Sequence, residues 1–383
     1  MENSCGKEKV GIKYGFSDLR CQPGTSLLNK LEKLIRTAGI DQIDFDRKLV
    51  AIKMHFGEPG NLAFLRPNYA KVVADVVKSM GGVPFLTDCN TLYPGRRKNA
   101  LEHLDAAYEN GFSPMSTGCQ IIIGDGLRGN DDVEVPVAGG EYIQTAKIGK
   151  AIMEADVIIS LSHFKGHEQT GFGGAIKNLG MGCGSRRGKM EQHAEGKPRI
   201  SYRRCVGCQK CSTQCAHSAI SYGEDRKASI DWDKCVGCGR CIAVCNFDAI
   251  HAGSDAAMEQ LSCRMAEYTK AVVDGRPQFH ISLVVDVSPY CDCHGENDLP
   301  IVPDVGMFAS FDPVALDQAC AEACLRQPPI PGSHLDEEMH KEGFCDHHDH
   351  FINSMPVTDW KVCLAHCEKI GVGTRSYELI EVK

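Results

Sequence analysis

Eight cysteines between residues 205 and 245 carry the strongest chemical signal in the sequence. Cys205, Cys208, Cys211 and Cys215 form C-x2-C-x2-C-x3-C, and Cys235, Cys238, Cys241 and Cys245 repeat it 30 residues later. The flanks repeat as well: Ile200 with Ile230, Tyr202 with Trp232, Val206-Gly207 with Val236-Gly237, and Ala219-Ile220 with Ala249-Ile250. Thiolates at every third residue suit a tight loop that wraps one face of a cubane cluster, while the fourth lies further off and points the other way. Gly207 and Gly237 fall inside the loops, where backbone must pass close to sulfide. Structural zinc sites also use C-x2-C pairs, but two tripled runs divide poorly into two separate tetrahedra.

A second set of chemically able residues follows the segments that read as strands. These are His55 and Glu58, then Asp88, Cys89 and Asn90, then Ser162-His163-Phe164-Lys165-Gly166-His167, and last Cys291-Asp292-Cys293-His294. A glycine-rich turn, Gly171-Phe172-Gly173-Gly174, runs into Ala175-Ile176-Lys177-Asn178. In open parallel sheets ligands bind beyond the carboxyl ends of the strands, so these loops are expected to meet in one crevice. There the glycines and a helix N-terminus would favour an anion, and Lys165 and Lys177 would hold a carboxylate or phosphate. His163 and His167 are candidate metal ligands or proton carriers. Cys291 and Cys293 are spaced to grip one soft metal. Plainer readings stand beside these: a turn made for close packing, histidines fixed by hydrogen bonds, and two free thiols. His347, His348 and His350 sit in a polar segment with Asp346 and Asp349 and read as a solvated loop. Cys320 with Cys324, and Cys363 with Cys367, share helical faces and read as packing residues.

The elements that must position these groups are legible. Ser26–Ala38 reads as an amphipathic helix stopped by Gly39. Lys48–Met54 is strand-like, Pro67–Met80 a helix with proline in its first turn, and Val83–Thr87 a strand, which makes a right-handed β-α-β unit with parallel strands. Helices are expected over Asn99–Asn110, Ala146–Ala155, Asp255–Asp274 and Asp359–Ile370, and another opening at Asp312-Pro313 and running to Leu325. Strands are expected at Gln120–Ile123, Asp156–Ser160, His280–Val287 and Ser376–Val382. This order gives an α/β fold, a mostly parallel sheet with flanking helices. Its core would span 1–196 and 254–383, interrupted by an inserted domain over 197–253 whose two repeats cover about 197–225 and 226–253.

At 383 residues the chain is long for one ordinary domain. Its formal net charge of −8 argues against nucleic acid or an anionic membrane as a general partner. The short basic run Arg186, Arg187, Lys189 is a local exception. Met1–Val10 shows no signal-peptide pattern, and no apolar run approaches membrane-spanning length. With 21 cysteines, that balance points to a reducing cytoplasm and metal binding, not to disulfides.

The cysteine repeat resembles a bacterial-type ferredoxin module, an α+β domain holding two [4Fe–4S] clusters. The resemblance implies that the fourth cysteine of each run crosses over: Cys205, Cys208, Cys211 and Cys245 for one cluster, and Cys235, Cys238, Cys241 and Cys215 for the other. The usual Cys-Pro ending is missing, since Ala216 and Asn246 follow the fourth cysteines. Beyond the repeat, Ser162–His167, Gly173-Gly174-Ala175-Ile176-Lys177-Asn178-Leu179-Gly180, Cys291-Asp292-Cys293 and Asp312-Pro313-Val314-Ala315-Leu316-Asp317 resemble the uncharacterised iron–sulfur-centre proteins, whose core is domain of unknown function 362. The resemblance spans about Lys53 to Ala319 and implies an architecture but no reaction. His163, His167, Gly173, Gly174 and Lys177 are also similar, at the level of fold analogy, to lactate-racemase-like proteins, which place such residues near a nickel-pincer cofactor.

Three functions follow as expectations. The first is a cytoplasmic redox protein, as an oxidoreductase or otherwise, whose two clusters relay single electrons to or from a crevice site, a small-molecule substrate or a redox partner protein. The second is a non-catalytic ferredoxin-like carrier or docking module. The third is an enzyme with a further metal, nucleotide or organic cofactor and structural or sensory clusters. No complete dinucleotide fingerprint, Walker loop or Ser-His-Asp signature is present.

Overall fold

The computed structural model describes residues 13–92, 95–194, 198–215, 217–235, 240–245, 247, 249–252 and 258–383. Cys238, Val236-Gly237, Ala216, Asn246, Met1–Val10, the helix cap Asp255 and the domain junctions at 196–197 and 253–254 lie outside the described residues.

Strand β1 (Lys13–Ser17) and helix α1 (Leu27–Thr37) open the chain. The β-α-β unit is β2 (Leu49–Lys53), α2 (Pro67–Ser79) and β3 (Val83–Asp88). Helices α3 (Ala100–Glu109) and α4 (Pro114–Thr117) lead to β4 (Gln120–Ile123). A hairpin, β5 (Asp132–Pro136) and β6 (Thr145–Gly149), runs into the single turn α5 (Lys150–Met153). Strand β7 (Val157–His163) is followed by the small hairpin β8 (Lys165–His167) and β9 (Gly171–Gly173), then α6 (Ala175–Cys183) and α7 (Arg186–Ala194). The cysteine repeat contributes β10 (Pro198–Ile200), α8 (Lys210–Thr213), β11 (Ile220–Tyr222), β12 (Ala228–Ile230), α9 (Arg240–Ala243) and β13 (Ile250–Ala252). Helix α10 (Met258–Val273), β14 (Gln278–Val284), β15 (Gly306–Ser310) and α11 (Pro313–Leu325) follow. Helices α12 (His334–Met339), α13 (His350–Ser354) and α14 (Trp360–Lys369) and strand β16 (Glu378–Glu381) close the fold.

Eight strands form one mostly parallel sheet in the order β16-β1-β15-β14-β7-β2-β3-β4. Neighbours from β14 to β4 are parallel, and β15 runs against both β14 and β1. Side chains alternate as a sheet covered on both faces requires. Val50 and Ile52 of β2 join Leu31, Leu34, Val73 and Val77 of α1 and α2, whereas Ala51 joins Leu179, Tyr268 and Val272 of α6 and α10. Among the described residues no helix is long and apolar enough to cross a membrane.

Two readings change. The helix expected over Ala146–Ala155 begins as strand β6, because Ala146 and Ile148 are buried in alternation and pair with Val135 and Val133. Strands β1 and β15 went unread: β15 is short, buried at every residue and reversed relative to its neighbours.

In the cysteine repeat each copy's first strand pairs with the other copy's last, β10 with β13 and β12 with β11. Equivalent positions face each other, Ile200 with Ile250 and Ile230 with Ile220. The two copies are therefore interleaved, and the chain enters by β10 and leaves by its antiparallel partner.

Candidate functional site

Strands β2, β3, β7 and β14 run the same way, so their carboxyl ends reach one edge of the sheet. There the expected loops meet around a cavity of about 970 Å³, counting its open mouth. Its wall includes His55, Asp88 and Cys89, together with His163, Lys165, His167, Lys177, Cys291 and Cys293. The catalytic and extra-metal candidates of the sequence are thus brought together here.

Ion pairs brace the wall. Lys53 Nζ lies 2.9 Å from Asp88 Oδ1 and 2.8 Å from Asn178 Oδ1. Burial raises the Asp88 carboxyl, but Lys53 and then His103 outweigh it and hold the group below the ordinary carboxylate range. Arg97 Nε donates to Glu58 Oε2 at 2.8 Å, while its Nη2 is buried without a hydrogen-bond partner among the described residues. His163 presents Nδ1 to Asp292 at 2.9 Å and Nε2 to the Val285 carbonyl at 2.7 Å. Both ring nitrogens therefore face protein acceptors, which favours the hydrogen-bonded fixture over the metal ligand. Lys165 Nζ lies 3.3 Å from Asp292 and braces the same carboxylate.

Cys291 stands apart from the rest of the wall in its surroundings. Lys177 Nζ lies 2.9 Å from its Sγ. The Cys293 thiol donates to that sulfur, burial opposes ionisation, and Lys177 and His167 add to the attraction, so the Cys291 thiol is held well below its ordinary range. Cys293 is driven the other way, first by donating to Cys291 and then by burial. His167 is fixed through Nδ1, which accepts from the Gln169 and Thr170 amides at 3.1 and 3.2 Å. Burial raises Glu168, but His167 and His294 bring it down to about 2. Among the described residues no three His, Cys, Asp or Glu side chains are gathered as ligands of one metal ion. The cation in contact with Cys291 is the Lys177 ammonium.

The glycine turn works differently from the anion cradle expected of it. The first amides of α6, at Ala175 and Ile176, donate to Asp317 at 2.7 and 2.9 Å. The helix N-terminus is already capped by the protein's own Asp317 carboxyl group. A Cβ on Gly174 would come within 2.2 Å of Asp317 Oδ1, so close packing is what this glycine serves. The two motifs Gly-Gly-Ala-Ile and Asp-Pro-Val-Ala-Leu-Asp meet at this contact.

Sequence reasoning assigned no role to Lys53, Arg97, Glu168 or Lys189, all of which line the cavity. Lys53 carried a signal, a lysine ending the apolar run Leu-Val-Ala-Ile. The basic run is internal: Arg186 is buried and donates to the Arg128 carbonyl at 2.6 Å, Arg187 pairs with Asp132, and Lys189 donates to the Gly184 carbonyl.

The cysteine repeat holds a second cavity of about 350 Å³, lined by Cys205, Cys208, Cys211 and Cys245. Cys215 does not line it. The Ala228 amide donates to Cys205 Sγ at 3.4 Å and the Ala249 amide to Cys245 Sγ at 3.3 Å. Gly207 has φ +69°, and a Cβ there would meet the Arg226 carbonyl at 2.7 Å. Cys215, Cys235 and Cys241 are half-buried.

Helix α7 and Leu92 link the strand-end cavity to the cysteine repeat. Helix α7 turns Lys189 and His193 to the strand-end cavity, and its Met190 packs in the cluster that contains Cys211 and Cys245. Leu92, in the loop after β3, belongs to both.

Cys320, Cys324, Cys363 and Cys367 pack in an apolar core, as expected. His348 is exposed beside Asp346, and His350 donates to the Gln327 carbonyl.

Residues 50–322 match the family described as "Domain of unknown function (DUF362)", and the chain belongs to that family. A thylakoid-associated protein of Synechocystis sp. is 29% identical over 157 residues, 39% of this chain and 43% of that protein. The match therefore spans less than half of that relative. Two solved structures are similar in fold. The lactate racemase apoprotein of Thermoanaerobacterium thermosaccharolyticum has 10% identity and a TM-score of 0.40, covering 72% of this chain and 51% of that one. A protein of Thermotoga maritima has 12% identity and a TM-score of 0.38, covering 78% and 57%.

Proposed function

We propose that this member of the family is a cytoplasmic iron–sulfur redox protein that passes single electrons between a partner and the strand-end cavity. Cys205, Cys208, Cys211 and Cys245 would hold one [4Fe–4S] cluster, and Cys235, Cys238, Cys241 and Cys215 the other. The donor set fits: four thiols of both repeats line one cavity, and backbone amides point at two of the sulfurs. The interleaved strands support the crossover of the fourth cysteine. Bound there, each cluster takes up and gives back one electron at a time.

The observation that carries the reading is the packing between the two regions. Leu92 and α7 line the strand-end cavity, and Leu92 and Met190 pack in the cluster that contains Cys211 and Cys245, so the inserted module is packed against the site it would serve. Arg128 Nη1 donates to Gln214 Oε1 at 2.9 Å and fastens the module from the side. Val206 and Phe247 line the cysteine cavity and are exposed, which offers a partner an apolar face close to the sulfurs.

Protein purified without oxygen is expected to hold about eight irons and eight sulfides per chain and to show coupled signals when reduced. Zinc alone, or no metal, overturns the reading. Leu92→Ala separates the relay from the clusters. It is expected to keep the iron, cost about 2–4 kcal/mol as a buried leucine does, and slow electron arrival in the cavity. An unchanged rate would leave a carrier with no internal acceptor.

A further inference from the structure

We infer that Cys291 and Cys293 are a redox-active dithiol that reduces a small-molecule disulfide inside the strand-end cavity. The inference rests on the electron-relay reading for its supply of electrons.

The geometry sets this pair apart from the other buried cysteines. Cys320, Cys324 and Cys367 lie in an apolar core, where burial pushes their thiols up. Cys291 is as buried, at 1% exposure, yet it touches an ammonium at 2.9 Å and a thiol donor two residues away. A packing residue has no use for that surrounding. A thiolate nucleophile needs it, with a resolving thiol at hand. Both sulfurs line the cavity, so a ligand small enough to enter reaches them. Folded protein disulfides are excluded by the size of the cavity.

The chemistry balances. The Cys291 thiolate attacks one sulfur of R–S–S–R′, forming a mixed disulfide and releasing R′S⁻, which takes a proton. Cys293 then attacks Cys291 Sγ. Its proton leaves with RS⁻, and a Cys291–Cys293 disulfide remains. Two electrons and one proton restore the thiolate and thiol, so each turnover consumes two electrons and two protons. Two one-electron clusters hold the number of electrons that the pair exchanges. His167, at the sulfur, is the proton carrier, and Lys177 supplies the fixed charge beside it.

The test uses the full holoprotein and 2-hydroxyethyl disulfide, followed by alkylation and site-resolved mass spectrometry. Cys291 and Cys293 are expected to lose both alkylation sites together, and Cys293→Ser to stop with one mercaptoethanol on Cys291. Two thiols that stay alkylatable, or oxidation of only one in the wild-type protein, overturn the dithiol. Iron and sulfide are measured in the same sample. Full iron without a disulfide overturns the dithiol alone, and a disulfide without iron overturns the relay alone. Dithionite is expected to restore both thiols in the wild-type protein and not in Cys208→Ala/Cys241→Ala. Equal restoration in both leaves the dithiol standing and removes the clusters as its source.

Discussion

In the strand-end cavity a sulfur is matched by an ammonium, whereas in the cysteine-repeat cavity sulfurs are matched by backbone amides. Lys177 faces Cys291 in the first, and the Ala228 and Ala249 amides face Cys205 and Cys245 in the second. The difference teaches what each thiol is for. A full positive charge stabilises a bare thiolate with a lone pair to spend on a carbon or sulfur electrophile. Amides add only partial charge and leave the sulfur free to bind iron, while tuning the potential of what is bound. The braces differ too. The strand-end cavity is held by buried ion pairs between distant strands, and the repeat cavity by short hairpins and tight loops.

The largest expected effect breaks the bracing of one region without touching the other. Asp88→Ala leaves Lys53, 1% exposed, with no carboxylate partner. The cost is expected to be about 3–5 kcal/mol, because an unpaired charge is left buried. Urea unfolding monitored by circular dichroism reads it. A loss under about 1 kcal/mol would mean that water reaches Lys53, and that the ion pairs do not hold this wall. The iron proposed for the cysteine repeat is expected to be retained in this variant as long as the chain is folded.

How much was legible follows the same division. The repeat cavity draws its cysteines from one short segment, so spacing marked the candidates and the ferredoxin resemblance named the four that line it. The strand-end cavity draws on residues from Lys53 to Cys293. The sequence placed its loops at one edge because parallel strands end on the same side. It was silent on partners. Nothing local tells that Asp317 caps α6, or that Asp292 binds His163, since each pair is joined only by the sheet. For the same reason the glycine turn read as an anion cradle: its anion lies 142 residues away in sequence. Strand β6 was lost to a helix because Thr-Ala-Lys-Ile suits either period until its hairpin partner is known.

That capping carboxylate supplies a smaller, pH-dependent contrast. Burial raises Asp317 from 3.8 to about 7, against the pull of the Ile176 and Ala175 amides. Its folded form therefore binds a proton more tightly than its unfolded form. The stability from that proton is full below about pH 4 and lost as pH rises through about 7. Asp317→Asn is expected to flatten this slope, by on the order of 2 kcal/mol between pH 5 and 8. Denaturation midpoints across that range check it. An unchanged slope would show that the amides keep Asp317 ionised throughout.

The smallest effect sharpens the contrast at the sulfur itself. Lys177→Met removes the ammonium and keeps most of the volume, while the Cys293 thiol and His167 remain beside Cys291. The Cys291 thiol is then expected to titrate at higher pH, and its alkylation by iodoacetamide at pH 7 to slow by about tenfold, equivalent to about 1.4 kcal/mol. Lys177→Arg keeps the charge and is expected to recover most of the rate. Cys208, exposed in the other cavity, serves as the internal control in metal-free protein, since no residue near it changes. A pH profile of Cys291 alkylation that is the same in the wild-type protein and Lys177→Met would mean that the remaining neighbours, Cys293 first, sustain the thiolate without Lys177. In that case the two cavities would differ in the neighbour of their sulfurs but not in the charge that neighbour supplies.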